Sequence, residues 1–189
     1  KIDLCLAQGI TTIDHADIYG DYRCEALFGD ALKADRTLGK RLEIVTKCGI
    51  MLRSPSRPTT RVKHYDTSTA HVRASVERSL SNLGVDVIDV LLIHRQDPLM
   101  DHAQLGACLD ALVAEGKLKS VGVSNFMPWD VELLQAGMKM GIVQDLAIGV
   151  HPFAAATWAW PDLRNRGFRV GAPPDMFSPA GQDWLQPPL

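Results

Sequence analysis

Short apolar runs alternate with amphipathic stretches through most of the chain. Residues 11–14 (TTID), 42–47 (LEIVTK), 87–94 (VIDVLLIH) and 118–125 (LKSVGVSN) have the length and β-branched content of buried strands. The 87–94 run is almost continuously apolar, the pattern of a strand covered on both faces. Between these runs the period changes to that of a helix. Residues 24–35 form one candidate. Residues 67–84 place Val72, Val76, Leu80 and Leu83 on one face and stop at Gly84. Residues 102–116 align Leu105, Cys108, Leu109 and Leu112 and stop at Gly116. A further helix opens at Pro128, with Val131, Leu134 and Met138 inward. Residues 142–150 and 168–172 complete a set of six predicted strands.

Strand–helix repeats of this kind predict a parallel sheet with helices outside it. A doubly wound sheet and a (β/α)8 barrel both fit. No G-x-G-x-x-G follows any strand, which weighs against a dinucleotide-binding doubly wound sheet. Beyond residue 150 the pattern weakens into a proline-rich stretch.

Composition narrows the function classes. The 189 residues carry 46% hydrophobic and 22% charged side chains, ordinary for a globular chain. A formal net charge of −2 gives no electrostatic basis for binding nucleic acid or an acidic membrane, and no run reaches membrane-span length. The four cysteines lack C-x-x-C spacing, so reduced thiols and a cytoplasmic location are expected, with no metal site. No feature indicates a partner protein.

The chemistry stands at the strand ends. Successive strands finish at Asp14, Lys47, His94 and Ser124–Asn125, and Tyr19 follows Asp14 in a glycine-flanked turn. In a parallel barrel those ends share one rim, the rim that carries catalysis. Taken singly each residue has an ordinary explanation: a helix cap, a solvated lysine, a loop histidine, a packed ring. Together they form a general acid for reducing a carbonyl. A tyrosine hydroxyl is a weak acid, and a neighbouring ammonium favours its phenolate. An aspartate positions the lysine, and a histidine orients the carbonyl or relays the proton. The hydride must come from a cofactor.

The segments GITTIDHADIYG, EIVTKCGI, DVIDVLLIHRQDPLMD and GKLKSVGVSNF, in this order, resemble the signatures of the aldo-keto reductase superfamily, in a bacterial branch of oxidoreductases. The resemblance covers about residues 1–130. It implies a (β/α)8 TIM barrel that binds NADPH/NADP+, with NADH not excluded, and reduces a small-molecule carbonyl substrate. It implies Tyr19 as the acid, tuned by Lys47 and Asp14, and His94 orienting the carbonyl. Ser124 and Asn125 would meet the nicotinamide carboxamide. FSPAG at 177–181 resembles the family's aromatic-Ser-Pro loop, with Phe177 stacking on the nicotinamide and Ser178 at the pyrophosphate. The Asn-Gln pair of the sixth strand is replaced by Leu146-Ala147, and Gln144 is out of phase.

By that pattern the first barrel strand precedes Lys1 and the eighth follows Leu189. The chain therefore reads as a single, incomplete barrel domain over 1–189, matched poorly over 151–189. Two competing readings stay within the family: an inactive remnant, and a binding or regulatory barrel. A third is a different barrel chemistry, with Lys47 forming a Schiff base or HAD at 15–17 marking a metal site.

Overall fold

Five parallel strands form the main sheet. The structure, a computed structural model, describes residues 1–139, 141, 143–145, 170–172 and 182–186. It divides into two compact units, residues 1–145 and 146–189, where the sequence suggested one domain. In the first unit the strands are β1 (Thr12–Asp14), β2 (Glu43–Cys48), β5 (Ile88–Ile93), β6 (Leu118–Ser124) and β7 (Val143–Asp145), in the order β1-β2-β5-β6-β7. A β-hairpin of β3 (Ile50–Met51) and β4 (His64–Tyr65) rises from the end of β2. The helices are α1 (Ile2–Ala7), α2 (Cys24–Ala34), α3 (Thr69–Leu83), α4 (His102–Ala114) and α5 (Pro128–Ala136).

Local chemistry sets the helix boundaries. The Ser68 hydroxyl accepts from the His71 amide at the start of α3, and Gly84 ends that helix in the left-handed region at φ 68°. Asp101 caps α4 through the Gln104 amide at 2.9 Å. Pro128 opens α5, where its missing N–H costs nothing.

Alternation along each strand sends one set of side chains to the helices and the other to the opposite face. Ile44, Leu91, Ile93, Val121 and Val123 join Val72, Val76, Leu83, Leu105, Leu109, Leu112 and Leu134 in one core between sheet and helices. Lys47 and Ser124 alternate with these residues, and Asp14 alternates with Ile13, which packs against the same core. The polar strand ends are thereby displayed away from the helical layer.

Contact between α2 and α3 is close enough to require glycine. A Cβ on Gly29 would lie 2.0 Å from the carbonyl oxygen of Asn82 and 3.0 Å from the Leu83 carbonyl carbon. Both are backbone atoms, which cannot rotate aside.

One expectation is corrected here. The described part of the 168–172 strand, β8 (Val170–Ala172), is not a parallel barrel strand. It pairs antiparallel with β9 (Gln182–Gln186) in a separate two-stranded sheet, with a register shift between Val170 and Gly171. The physical reason is proximity: an antiparallel partner nearby in sequence needs only a turn, whereas a parallel one needs a crossover. Residues 52–63 form the loop of the β3–β4 hairpin, whose two-residue strands leave no periodicity in the sequence. Leu146, Ala147, Phe177 and Ser178 lie outside the described residues.

Candidate active site

Lys47 organises the rim. It is the fifth residue of β2, its side chain is 4% exposed, and an ammonium so buried needs acceptors for its three hydrogens. It finds Asp14 Oδ1 and Oδ2, both at 2.5 Å, and the His15 carbonyl at 3.2 Å. The Asp14 side chain is 56% exposed, so the pair is dry on the lysine side and wet on the carboxylate side. Strand register explains the meeting: β1 and β2 pair in parallel with Asp14 beside Val45, two residues before Lys47.

The Tyr19 ring lies 5.5 Å from Lys47 Nζ. It meets the His94 ring edge-on, with centroids 6.0 Å apart and planes at 81°. His94 continues β5, its amide donating to the Cys48 carbonyl at 2.9 Å. Asp14, Tyr19, Lys47 and His94, widely separated in sequence, thus converge at one end of the sheet. Ser124 and Asn125 stand at the end of the next strand. Asn125 Nδ2 donates to Ser124 Oγ at 2.8 Å and to the His94 carbonyl at 3.3 Å. Its backbone is left-handed at φ 62°.

A strained turn aims Tyr19. Gly20, Asp21 and Tyr22 are three consecutive left-handed residues, with φ of 57°, 59° and 64°. Two of them are not glycine, and Tyr22 alone costs on the order of 1–2 kcal/mol in this region. Contacts to the hairpin excursion hold the turn. The Leu52 amide donates to Tyr22 Oη at 2.9 Å, Ser54 Oγ donates to the Asp21 carboxylate, and the Arg57 guanidinium lies 4.9 Å from the Tyr22 ring centre.

Sequence reasoning missed a second layer of polar groups behind the rim. Glu25 on α2 is 2% exposed and accepts from Thr46 Oγ1 at 2.7 Å and Asn82 Nδ2 at 3.2 Å. His15 and Asp17 are each 8% exposed, and among the described residues His15 Nε2 and Asp17 Oδ1 have no hydrogen-bond partner. His15 packs on Phe28 at 4.7 Å, and burial holds its imidazole below the usual range. Both belong to the HAD stretch at 15–17, and among the described residues no metal-ligand cluster forms. The available signal was alternation: residues flanking an inward Asp14 must turn the other way.

Burial, and then the Glu25 carboxylate, push Asp17 up to about 7; Arg78, the Ile18 backbone and Arg57 oppose them more weakly. A raised acid stabilises the fold while protonated. Its contribution is full below the ordinary carboxylate range near 4 and is lost as pH rises through about 7. Asp17→Asn removes that titration. The variant's melting temperature should therefore fall less than the parent's between pH 4 and 8, with a gap at pH 8 of up to about 4 kcal/mol. Thermal melts of both proteins across that range check it.

The parallel sheet with outer helices, with a lysine–aspartate pair and an adjacent tyrosine and histidine on its rim, is the arrangement of part of a (β/α)8 barrel. Comparison with known proteins agrees. The Aldo/keto reductase family model matches residues 2–151, and the chain belongs to that family. It is 57% identical over 143 residues to 6-dehydroglucose reductase of Agrobacterium fabrum, covering 76% of this chain and 48% of that protein. It superposes on the glycerol dehydrogenase of Gluconobacter oxydans with a TM-score of 0.65 at 28% identity, covering 77% of this chain and 43% of the other. An aldo-keto reductase from Klebsiella pneumoniae, solved in complex with NADPH, aligns with a TM-score of 0.54 at 28% identity, covering 71% and 40%. The chain thus spans about half the length of these relatives.

A second family model, 4-alpha-glucanotransferase, matches residues 131–189. There the chain is 54% identical over 57 residues to the 4-alpha-glucanotransferase of Mycobacterium tuberculosis, covering 30% of this chain and 8% of that protein. The two matches overlap at residues 131–151.

Proposed function

We propose that residues 1–145 form the proton-donating half of an NADPH-dependent carbonyl reductase. The observation that carries this reading is the convergence of the Tyr19 ring on the Lys47 ammonium, itself fixed by Asp14. In the proposed reaction the Tyr19 hydroxyl gives its proton to the carbonyl oxygen. The nearby ammonium stabilises the charge left on the phenol oxygen, and His94 orients the carbonyl from the other side. NADPH, when bound, supplies the hydride that reaches the carbonyl carbon. Asn125 suits the N–H of a carboxamide, because both of its own amide hydrogens are engaged on Ser124 Oγ and the His94 carbonyl, which fixes its Oδ1 as an acceptor. The reading extends to Phe177 and Ser178 as the stacking ring and pyrophosphate hydroxyl, although both fall in the segment matched by the second family. A sugar-derived aldehyde is the substrate class supported by the Agrobacterium relative's name.

A second reading is a tetrad-bearing chain that does not hold NADPH. One observation favours it: the Aldo/keto reductase match stops at residue 151, and a different family matches 131–189. One experiment addresses both. Residues 1–145 replace the matching segment of the Agrobacterium reductase, and the hybrid is assayed beside the 189-residue chain. The first reading expects aldehyde-dependent NADPH oxidation by the hybrid. A hybrid that folds and binds NADPH without turnover contradicts it. NADPH fluorescence titration of the 189-residue chain decides the second reading, which expects no binding.

A further inference from the structure

From Gly49 to Tyr65 the chain carries Arg53, Arg57, Arg61 and Lys63 and no acidic residue, in a protein whose formal net charge is −2. This segment is the hairpin excursion that leaves β2 two residues after Lys47. It is tied to the turn that follows Tyr19 through Leu52–Tyr22, Ser54–Asp21 and Arg57–Tyr22. Elsewhere on the first unit five cations are paired, Lys33 with Asp30, Lys47 with Asp14, Arg73 with Glu115, Lys117 with Glu77 and Glu115, and Lys119 with Asp89, while the others are scattered singly or in short runs along the chain. The four cations of the excursion have no ion-pair partner among the described residues. Asp21, held against the segment, is occupied by the hydroxyls of Ser54 and Ser56. Arg53 and Arg61 line an open cleft of about 620 Å³ with Ser54, Pro55, Pro58 and Thr60. Ser54 and Thr60 are 7% and 6% exposed, so the cleft has a fixed floor. Two prolines and the Ser54–Arg57 bridge restrict its backbone.

Resting on the carbonyl-reductase reading, we infer that this excursion selects substrates bearing an anionic group, a carboxylate or a phosphate, remote from the carbonyl. Unpaired guanidinium groups offer planar donor forks that match such groups. Charge of one sign beside a cleft also raises the local concentration of an oppositely charged ligand. The position favours substrate over cofactor. The excursion is rooted on the β2 side with Lys47 and Tyr19, whereas the residues suited to the nicotinamide, Ser124 and Asn125, end β6. In the sheet β5 lies between those two strands.

The test is calorimetric titration of the 189-residue protein with glucuronate, glucose 6-phosphate, glucose and inorganic phosphate. The expected result is at least about tenfold tighter binding of one anionic sugar than of glucose, weakening as salt is raised. Arg53→Gln with Arg61→Gln should bring that sugar to the level of glucose. Arg53→Lys with Arg61→Lys, which keeps the charge and loses the fork, should retain part of the difference; this pair also serves if the glutamine variant is misfolded by circular dichroism. Glucuronate against glucose 6-phosphate tells carboxylate from phosphate. Equal binding of glucose and both anionic sugars overturns the inference, as does unchanged binding in the folded variants. Inorganic phosphate binding as tightly as the sugar, or NADP+ displacing the sugar through the same arginines, overturns it too. Turnover by the hybrid without anion binding by the chain defeats this inference alone; anion binding with no turnover by the hybrid defeats the reductase reading alone.

Discussion

Lys47→Met in the hybrid should slow carbonyl reduction by at least about 10²-fold while the melting temperature holds or rises. The two effects separate because the ion pair is asymmetric. Lys47 is almost wholly buried, whereas more than half of the Asp14 side chain meets solvent. Removing the ammonium removes its desolvation penalty, and a methionine of similar length fills the space. Asp14 loses a partner but keeps water, so no buried charge is stranded. Catalysis has no such compensation, because the cation 5.5 Å from the Tyr19 ring centre is the charge that stabilises the departing proton's phenolate. Stopped-flow NADPH oxidation and thermal melts of the same preparation check the split. A fall in rate that merely tracks a fall in stability would assign Lys47 a structural role.

Gly29→Ala should be among the most damaging single-methyl additions in the first unit. The new Cβ would overlap the Asn82 carbonyl at 2.0 Å, so α2 must move away from α3. Overpacking costs about 1–3 kcal/mol in a side-chain core and more where only backbone can yield. Asn82 also donates to the buried Glu25, which in turn accepts from Thr46 on β2. Displacing α2 therefore strains the hydrogen bonds behind Lys47 as well. Urea denaturation should show a midpoint shift equivalent to about 3 kcal/mol or more. A shift below about 0.5 kcal/mol would mean that the helices separate freely.

The barrel and the four rim residues were legible because they follow from strong, local signals. Apolar runs ending in Asp14, Lys47, His94 and Ser124 identify strands and rim together, since a parallel sheet puts every such end on one side. The helical faces of α3 and α4 are the buried ones: Val72, Val76, Leu83, Leu105, Cys108, Leu109 and Leu112. What escaped depends on contacts distant in sequence. Asp17 reads as an ordinary loop acid until Glu25, from another element, is placed beside it in a dry site. The left-handed Asp21 and Tyr22 cannot be inferred from side chains that normally avoid that region. They are held there by Leu52 and Ser54, some thirty residues away. The antiparallel pairing of β8 defeats pattern reading differently, because a three-residue strand fits either sheet direction.

Single-turnover reduction by the NADPH-loaded hybrid decides whether Tyr19 is the proton donor of this rim. That measurement isolates the chemical step from product release. Tyr19→Phe keeps the ring against His94 and Lys47 and removes only the hydroxyl. Parent and variant should load NADPH equally, with the reduction step slowed about 10²–10⁴-fold in the variant. Equal loading with an unchanged single-turnover rate would contradict that role.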